Sequence, residues 1–270
     1  MKPNPRLLLA ALAAAALVLA GCGASSTTSE TSAAGSATTS GAELSGKITV
    51  SGGTSLTEAF TKIGKDFSAA HPGVEVAFNF DSSTTLSTQI LAGAPADVFA
   101  PADEANMTKL TDKNLIAGEP QVFVRNELVI VTKPGNPKGI KTLADLPTAG
   151  VISLCGEKVP CGKYAAESLQ KAGVSIDESN ITRGQDVGAT LTAVTEGDAV
   201  AGIVYVTDAK KAGGAVEAVP IPAEVNVIAT YPIGVIAAST NIDVAKAFMA
   251  YVLGDEGQAV LAEYGFVPAA

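Results

Sequence analysis

The stretch ITVSGGTSLTEAF (Ile48–Phe60) decides how this chain folds, and VAFNFDSSTTLSTQI (Val76–Ile90) repeats its pattern. Each stretch runs from a β-branched or aromatic strand, through a turn of small residues, into a helix that begins at a serine. The first turn of a helix carries unpaired backbone N–H groups and the positive end of the helix dipole, which together attract anions. Two such helix starts near each other, with the hydroxyl groups of Ser55 and Ser83, predict a pocket for an oxyanion.

Strands and helices alternate along the rest of the chain, which indicates βα units around mostly parallel sheets. A strong strand, Glu127–Lys133, follows a change of pattern near Asn126, and the extended run Val227–Ala238 can cross back. Two crossings predict two lobes joined by a hinge, one formed by residues 46–126 plus 232–270 and the other by residues 127–231. The crevice between the lobes is the expected binding place.

Some local details of these elements are also predicted. The segment SLTE (Ser55–Glu58) has the Ser-x-x-Glu form of a capping box, so the first helix is expected to run from this serine to about Ala70. The strand Gly202–Val206 is expected to precede the extended run Val227–Ala238. That run contains Pro232, which is expected to interrupt it because proline cannot donate a backbone hydrogen bond.

The charge of the chain limits the kinds of partner it can bind. Its 270 residues include 18 Lys and Arg against 27 Asp and Glu, which gives a net charge of -9. This acidic balance argues against nucleic acid, whose phosphates need a basic face. It also argues against a pocket lined by lysine and arginine, so an anion site here must work through neutral dipoles.

The N-terminal residues predict export rather than a part of the fold. A short basic start is followed by the apolar run Leu7–Leu19, which is too short for a stable membrane-spanning helix. The run ends in Leu-Ala-Gly-Cys, which resembles the bacterial lipoprotein signal, so residues 1–21 are the expected leader and Cys22 the lipidated residue. A plain secretory signal is the alternative. Residues 22–45 are rich in Ser, Thr, Ala and Gly and predict a flexible tether. The expected location is therefore outside the cytoplasm, anchored to the cell membrane.

Two cysteines remain if Cys22 is lipidated. An exported protein meets oxidising conditions, so a disulfide between Cys155 and Cys161 is expected, and two free thiols are the alternative. A metal site is not expected, because the single histidine, His71, has no partner motif.

The motifs of common enzymes are missing from the sequence. It contains no G-x-S-x-G, P-loop or dinucleotide fingerprint, and no Ser-His-Asp arrangement that uses His71. The chain is therefore not expected to be an enzyme. A surface hydrolase or an adhesive module remains the alternative from a different class.

A family resemblance covers essentially the whole body, from Ile48 to Pro268. The segments that carry it are SLTEAF, SSTTLSTQILAGAPADVFAPAD, VPCGKYAAESLQKAG, DVGATLTAV, GIVYVTDA and AEYGFVP. In order and spacing they resemble the molybdate-binding proteins of ABC importers. The resemblance implies an α/β, two-lobed type II periplasmic-binding-protein fold, in which each lobe is a mostly parallel sheet flanked by helices and the ligand lies in the cleft.

The resemblance also implies the ligand-binding groups. Hydroxyl and backbone N–H groups at two helix starts, two further backbone N–H groups and one tyrosine hydroxyl fall on Ser55, Ser83, Cys161, Val187 and Tyr205. Cys161 stands where the family usually has alanine, and the contact is through its N–H. The implied ligand is molybdate or tungstate, with no cofactor. The implied partner is a permease with its ATPase subunits, served by a monomer; sulfate and phosphate are alternative ligands.

The chemistry of the anion explains the absence of an acceptor among these groups. Molybdate, tungstate and sulfate are fully deprotonated near neutral pH and only accept hydrogen bonds. Monohydrogen phosphate carries a proton, which would be left unpaired in a pocket of donors. Asp81 and Asp186 flank the proposed donors, and their side chains are expected to cap the backbone or face away.

Overall fold

A computed structural model describes residues 43–269 of the chain. The predicted leader, Cys22 and the tether up to residue 42 lie outside the described residues. The strands of the described part are β1 Ser45–Gly53, β2 Gly73–Asp81, β3 Val98–Ala100, β4 Gln121–Thr132, β5 Ile152–Cys155, β6 Ile181–Gly184, β7 Ala201–Tyr205, β8 Glu217–Pro220, β9 Ile228–Val235 and β10 Val267–Pro268. Its α-helices are α1 Thr57–Ala70, α2 Ser83–Leu91, α3 Glu104–Thr111, α4 Leu146–Ala149, α5 Pro160–Lys171, α6 Val187–Thr195, α7 Val206–Ala212, α8 Ile242–Leu253 and α9 Asp255–Glu263.

The strands form one curled sheet in the order β2-β1-β3-β9-β4-β7-β5-β6, and β8 and β10 also pair with β4. The pairs β1–β2, β1–β3, β5–β6 and β5–β7 are parallel, as expected for βα units. Every pair that involves β4 or β9 is antiparallel. These two strands therefore connect two parallel sets of strands.

Strand β4 changes its partner along its length. Its residues from Gln121 to Glu127 pair with β9, and its residues from Leu128 to Thr132 pair with β7. The partner changes next to Asn126, where the sequence predicts a change of lobe. The exact lobe boundaries, residues 46–126 plus 232–270 and residues 127–231, stay a prediction.

The core lies between the sheet and its helices. Helix α1 turns Phe60, Ile63 and Phe67 inward, which follows the helical spacing of these apolar residues. The Phe67 ring packs edge-on against Phe248 of α8, with ring centroids 5.4 Å apart. A second, smaller cluster lies under α2 and includes Leu86. Burying an aromatic or leucine side chain contributes about 1.5–3 kcal/mol, so these clusters hold the helix starts in place.

The start of the first helix differs from the prediction. A 3-10 turn, Thr54–Leu56, precedes α1, and Leu56 occupies the N-cap position without a side-chain hydrogen bond. The predicted capping box of Ser55 and Glu58 is wrong. The Ser55 hydroxyl is hydrogen-bonded to Tyr231 instead, and the Glu58 carboxylate pairs with Lys211 at 3.4 Å.

Other element boundaries also differ from the prediction. Strand β7 ends at Tyr205, one residue early, because α7 begins at Val206. Strand β9 passes through Pro232 without a break. Its partner strand has an irregular register between Val122 and Val124 at this point, which accommodates the missing backbone donor.

Candidate functional site

The five residues predicted to bind an oxyanion line a single cavity. About 20 Å³ of it is open to the centres of water-sized molecules. The residues that line it are Gly53, Thr54, Ser55, Ser82, Ser83, Ala102, Val159, Pro160, Cys161, Asp186, Val187 and Tyr205. Ser55 and Ser83 form the serine side of the cavity, and Cys161, Val187 and Tyr205 form its amide side. A cavity of this size suits a small ligand rather than a nucleotide.

On the serine side, Ser55 lies in the 3-10 turn between β1 and α1. Its Oγ is 2.9 Å from the hydroxyl oxygen of Tyr231, a fully buried residue of β9. Asn126 donates to the same tyrosine oxygen, at 3.4 Å. A short polar chain therefore leads from β4 through β9 to the cavity.

The second hydroxyl of the serine side belongs to Ser83, the first residue of α2. Its Oγ accepts a hydrogen bond of 2.9 Å from the backbone N–H of Ala102. The hydroxyl hydrogen of Ser83 is therefore available to the cavity. Gly53 permits this packing, because a Cβ at this position would lie 3.2 Å from the Ser83 Oγ.

The amide side begins with the starts of two helices. Cys161 is the second residue of α5, after Pro160, and Val187 is the first residue of α6. Backbone N–H groups in the first turn of a helix have no partner inside the helix, and they lie at the positive end of its dipole. Proline fits the first position because it has no N–H to leave unpaired.

A disulfide secures the start of α5. Cys155, at the end of β5, is bonded to Cys161, and their Cα atoms are 5.8 Å apart. The Thr190 hydroxyl of α6 donates to the carbonyl oxygen of Asp186 at 2.9 Å, and its oxygen lies 3.2 Å from the sulfur of Cys155. The two helix starts of the amide side are therefore held to the same strand end.

Tyr205 completes the amide side at the junction of β7 and α7. Its side chain is buried, and its hydroxyl has no hydrogen-bond partner among the described residues. Burial raises the pKa of its phenol well above the ordinary value, so the hydroxyl stays protonated. A protonated hydroxyl in this position can donate to a ligand.

Charged side chains are scarce around the cavity. Among the described residues that line it there is no lysine or arginine, and the single acidic residue is Asp186. Asp186 accepts a hydrogen bond of 2.7 Å from the N–H of Ala189, and Asp81 accepts one of 2.5 Å from the N–H of Ser82. The expectation that both carboxylates cap the backbone is confirmed. The cavity consequently offers neutral donors to a ligand.

Two further buried polar groups belong to Thr54, which lines the cavity, and to Asp208, in the first turn of α7 after Tyr205. The Thr54 hydroxyl is without a hydrogen-bond partner among residues 43–269, as is one carboxylate oxygen of Asp208. Burial raises the pKa of Asp208 to about 7, a change opposed by its backbone hydrogen bonds and by Lys211.

Sequence reasoning missed the residues that orient the serine side. Tyr231 lies in the extended run Val227–Ala238, whose pattern gives it no role at the site, and Ala102 lies in no motif that indicates one. The contact of Tyr231 joins residues 176 positions apart, so no local pattern could have indicated it. Ala102 donates through its backbone N–H, which almost any residue type has, so its identity gives no indication of this contact.

The predicted leader, the lipidation of Cys22 and the absence of a metal site stay predictions. Cys22 and the leader lie outside the described residues. None of the helices within residues 43–269 is long and apolar enough to cross a membrane. In the same part of the chain, no group of three or more His, Cys, Asp or Glu residues could hold a metal ion.

Comparison with known proteins gives the family of the chain. Residues 48–267 match the family described as bacterial extracellular solute-binding protein. The molybdate-binding protein ModA of Mycobacterium tuberculosis is 38% identical over 220 residues, which cover 81% of this chain and 84% of that protein. The protein of the same name from Escherichia coli is 36% identical over 231 residues, covering 82% of this chain and 89% of that protein.

A solved structure supports the fold. The periplasmic molybdate-binding protein of Azotobacter vinelandii matches with a TM-score of 0.74 at 21% identity, covering 83% of this chain and all of that one. This likeness confirms the predicted fold class, an α/β periplasmic-binding-protein fold with a curled sheet flanked by helices.

Proposed function

The chain belongs to the bacterial extracellular solute-binding protein family, and we propose that it captures molybdate outside the membrane and delivers it to an ABC importer. One observation carries the proposal: five donors predicted for an oxyanion line one cavity whose described walls contain no lysine or arginine. The relatives named for molybdate binding support the choice of anion.

Each residue has a defined role in this proposal. Ser55 and Ser83 donate their hydroxyl hydrogens, Cys161 and Val187 donate backbone N–H groups, and Tyr205 donates its phenolic hydrogen. Hydrogen bonds to a charged group contribute about 1.5–3 kcal/mol each. Several of them together offset the cost of removing water from a dianion, and the affinity is the remainder.

The donor set also explains discrimination between anions. Molybdate, tungstate and sulfate only accept hydrogen bonds, so a pocket of donors satisfies all of their oxygens. The proton of monohydrogen phosphate needs an acceptor. The one acidic residue among the described lining residues is Asp186, and it caps α6 by accepting from the N–H of Ala189. A phosphate proton that finds no acceptor in the cavity is buried unpaired, which favours the fully deprotonated anions.

The remaining predictions complete the proposal. The chain binds molybdate or tungstate without a cofactor and has no catalytic activity of its own, because hydrolysis of ATP belongs to the partner subunits. It acts as a monomer, binds no nucleic acid, and is held to the cell membrane by lipid on Cys22. A Cys22→Ser variant is expected to leave the membrane fraction and appear in the medium or periplasm.

Isothermal titration of purified, anion-free protein with molybdate, tungstate, sulfate and phosphate tests the function. We expect binding heat with molybdate and none with phosphate. Binding of phosphate in preference to molybdate would contradict the donor-only pocket. The absence of binding heat with all four anions would contradict the transport role and favour a surface hydrolase or adhesive module.

A further inference from the structure

The polar chain behind Ser55 has a fixed direction. Asn126 and Tyr231 are both fully buried, and they lie on β4 and β9, the two strands that connect the parallel sets. The amide nitrogen of Asn126 is 2.9 Å from the hydroxyl oxygen of Thr207 and 3.4 Å from that of Tyr231. The Tyr231 hydroxyl is in turn 2.9 Å from the Oγ of Ser55.

The orientation of Asn126 is set by its own backbone neighbour. Its Oδ1 accepts a hydrogen bond of 3.0 Å from the N–H of Glu127. The NH₂ end of the side chain must therefore face Thr207 and Tyr231, and this end can only donate. The oxygen of Tyr231 consequently accepts from Asn126.

The hydroxyl hydrogen of Tyr231 then has a single available acceptor. Among the described residues, the hydroxyl contacts only Asn126, which cannot accept it, and the Ser55 Oγ. If Ser55 donated to Tyr231 instead, the phenolic hydrogen would be buried without an acceptor, which is costly. Burial also keeps that hydrogen in place, because it raises the pKa of the Tyr231 phenol above its ordinary value. Tyr231 therefore donates to Ser55.

We propose that Tyr231 is a positioning residue that turns the hydroxyl hydrogen of Ser55 toward the bound oxyanion. The inference rests on the proposed function and adds a residue that does not itself line the cavity. The Ser55 oxygen accepts from Tyr231, as the Ser83 oxygen accepts from Ala102, so both hydroxyls of the serine side are held ready to donate. A donor fixed before binding loses less rotational freedom when the ligand arrives.

A double-mutant cycle tests the proposal, with molybdate affinity measured by isothermal titration. We expect Tyr231→Phe to weaken molybdate binding about 5-fold to 10-fold, and Ser55→Ala to weaken it by about 10-fold or more. Because Tyr231 acts through Ser55, the double variant should bind as Ser55→Ala does. Tyr251→Phe is the matched control, because it removes the same hydroxyl from a residue of α8 that does not line the cavity, and it should leave the affinity unchanged.

Additive losses in the double variant would overturn the proposal, since they would mean that Tyr231 supports the fold rather than Ser55. Unchanged affinity of Tyr231→Phe would also overturn it. Asn126→Ala provides a second route if Tyr231→Phe does not fold. It removes the donor that sets the direction, and its loss of affinity should likewise vanish in the Ser55→Ala background. Failure of the wild-type protein to bind molybdate would instead contradict the proposed function.

Discussion

The two sides of the cavity supply donors in different ways. On the serine side, Ser55 and Ser83 offer side-chain hydroxyls whose oxygens already accept hydrogen bonds from Tyr231 and Ala102. On the amide side, Cys161 and Val187 offer backbone N–H groups at helix starts. The fifth donor, the Tyr205 hydroxyl, is buried without a partner among the described residues.

This difference determines which substitutions matter. A side-chain donor is lost when its residue type changes, whereas a backbone donor survives any change that keeps the helix start in place. Cys161, which stands where the resembled family usually has alanine, is consistent with this tolerance. Both sides also hold a buried hydroxyl without a partner among the described residues, that of Thr54 in the turn that carries Ser55 and that of Tyr205.

The largest expected effect concerns the buried carboxylate of Asp208, in the first turn of the helix that follows Tyr205. Burial raises the pKa of Asp208 from 3.8 to about 7, so the folded protein holds this proton more tightly than the unfolded chain does. As the pH rises from about 4 to about 7, the unfolded chain loses its proton first, and stability falls. Relative to the wild type, Asp208→Asn should gain about 4 kcal/mol of unfolding free energy between pH 4 and pH 8.

Urea unfolding at the two pH values measures the gain of Asp208→Asn. Asp112→Asn, a change at an exposed residue, is the control and should show little pH-dependent gain. Equal gains in both variants would mean that the buried carboxylate is not the source of the pH dependence.

On the serine side, Ser83→Ala should weaken molybdate binding about 10-fold to 150-fold, because one charge-assisted hydrogen bond is lost. It also leaves the N–H of Ala102 without its acceptor, so a small loss of stability is expected. Isothermal titration gives the affinity and thermal unfolding gives the stability. Wild-type affinity in a folded Ser83→Ala protein would show that the Ser83 hydroxyl does not bind the anion.

Tyr205→Phe separates affinity from stability. Molybdate binding should weaken by about 10-fold, since a hydrogen bond to the anion is lost. The anion-free protein should be no less stable, because the hydroxyl that is removed has no partner among the described residues. Titration and thermal unfolding of the same sample show whether the two quantities diverge. A parallel loss of both would indicate that Tyr205 is only a core aromatic.

The smallest effect is expected for Val187→Ala on the amide side. The backbone N–H remains at the start of α6, so molybdate affinity should change by less than about twofold. The side chain is 4% exposed, so some loss of stability from its removal is expected. Affinity measured well below the unfolding temperature isolates the first effect. A loss of affinity as large as that of Ser83→Ala would contradict the inference that Val187 binds the anion through its backbone N–H.

The degree to which the site could be predicted differs from residue to residue. Ser55 and Ser83 stand at strand-to-helix junctions, which local sequence reveals. Only the family resemblance indicates a role for Tyr205 in binding, because an aromatic residue at the end of a buried strand is equally typical of the hydrophobic core. The capping box at Ser55 was wrong because a local motif competed with Tyr231, a partner 176 positions away.

Local sequence and composition suffice to predict the alternation of strands and helices, the two helix starts at serines, and an acidic charge that argues against a pocket of lysine and arginine. These follow from side-chain period and composition, which act over a few residues. Only the contacts between distant parts of the chain bring the five residues predicted to bind the anion into one cavity and place Tyr231 against Ser55. A hydroxyl rotates freely until a partner fixes it, and the partners of these hydroxyls come from strands and turns elsewhere in the chain.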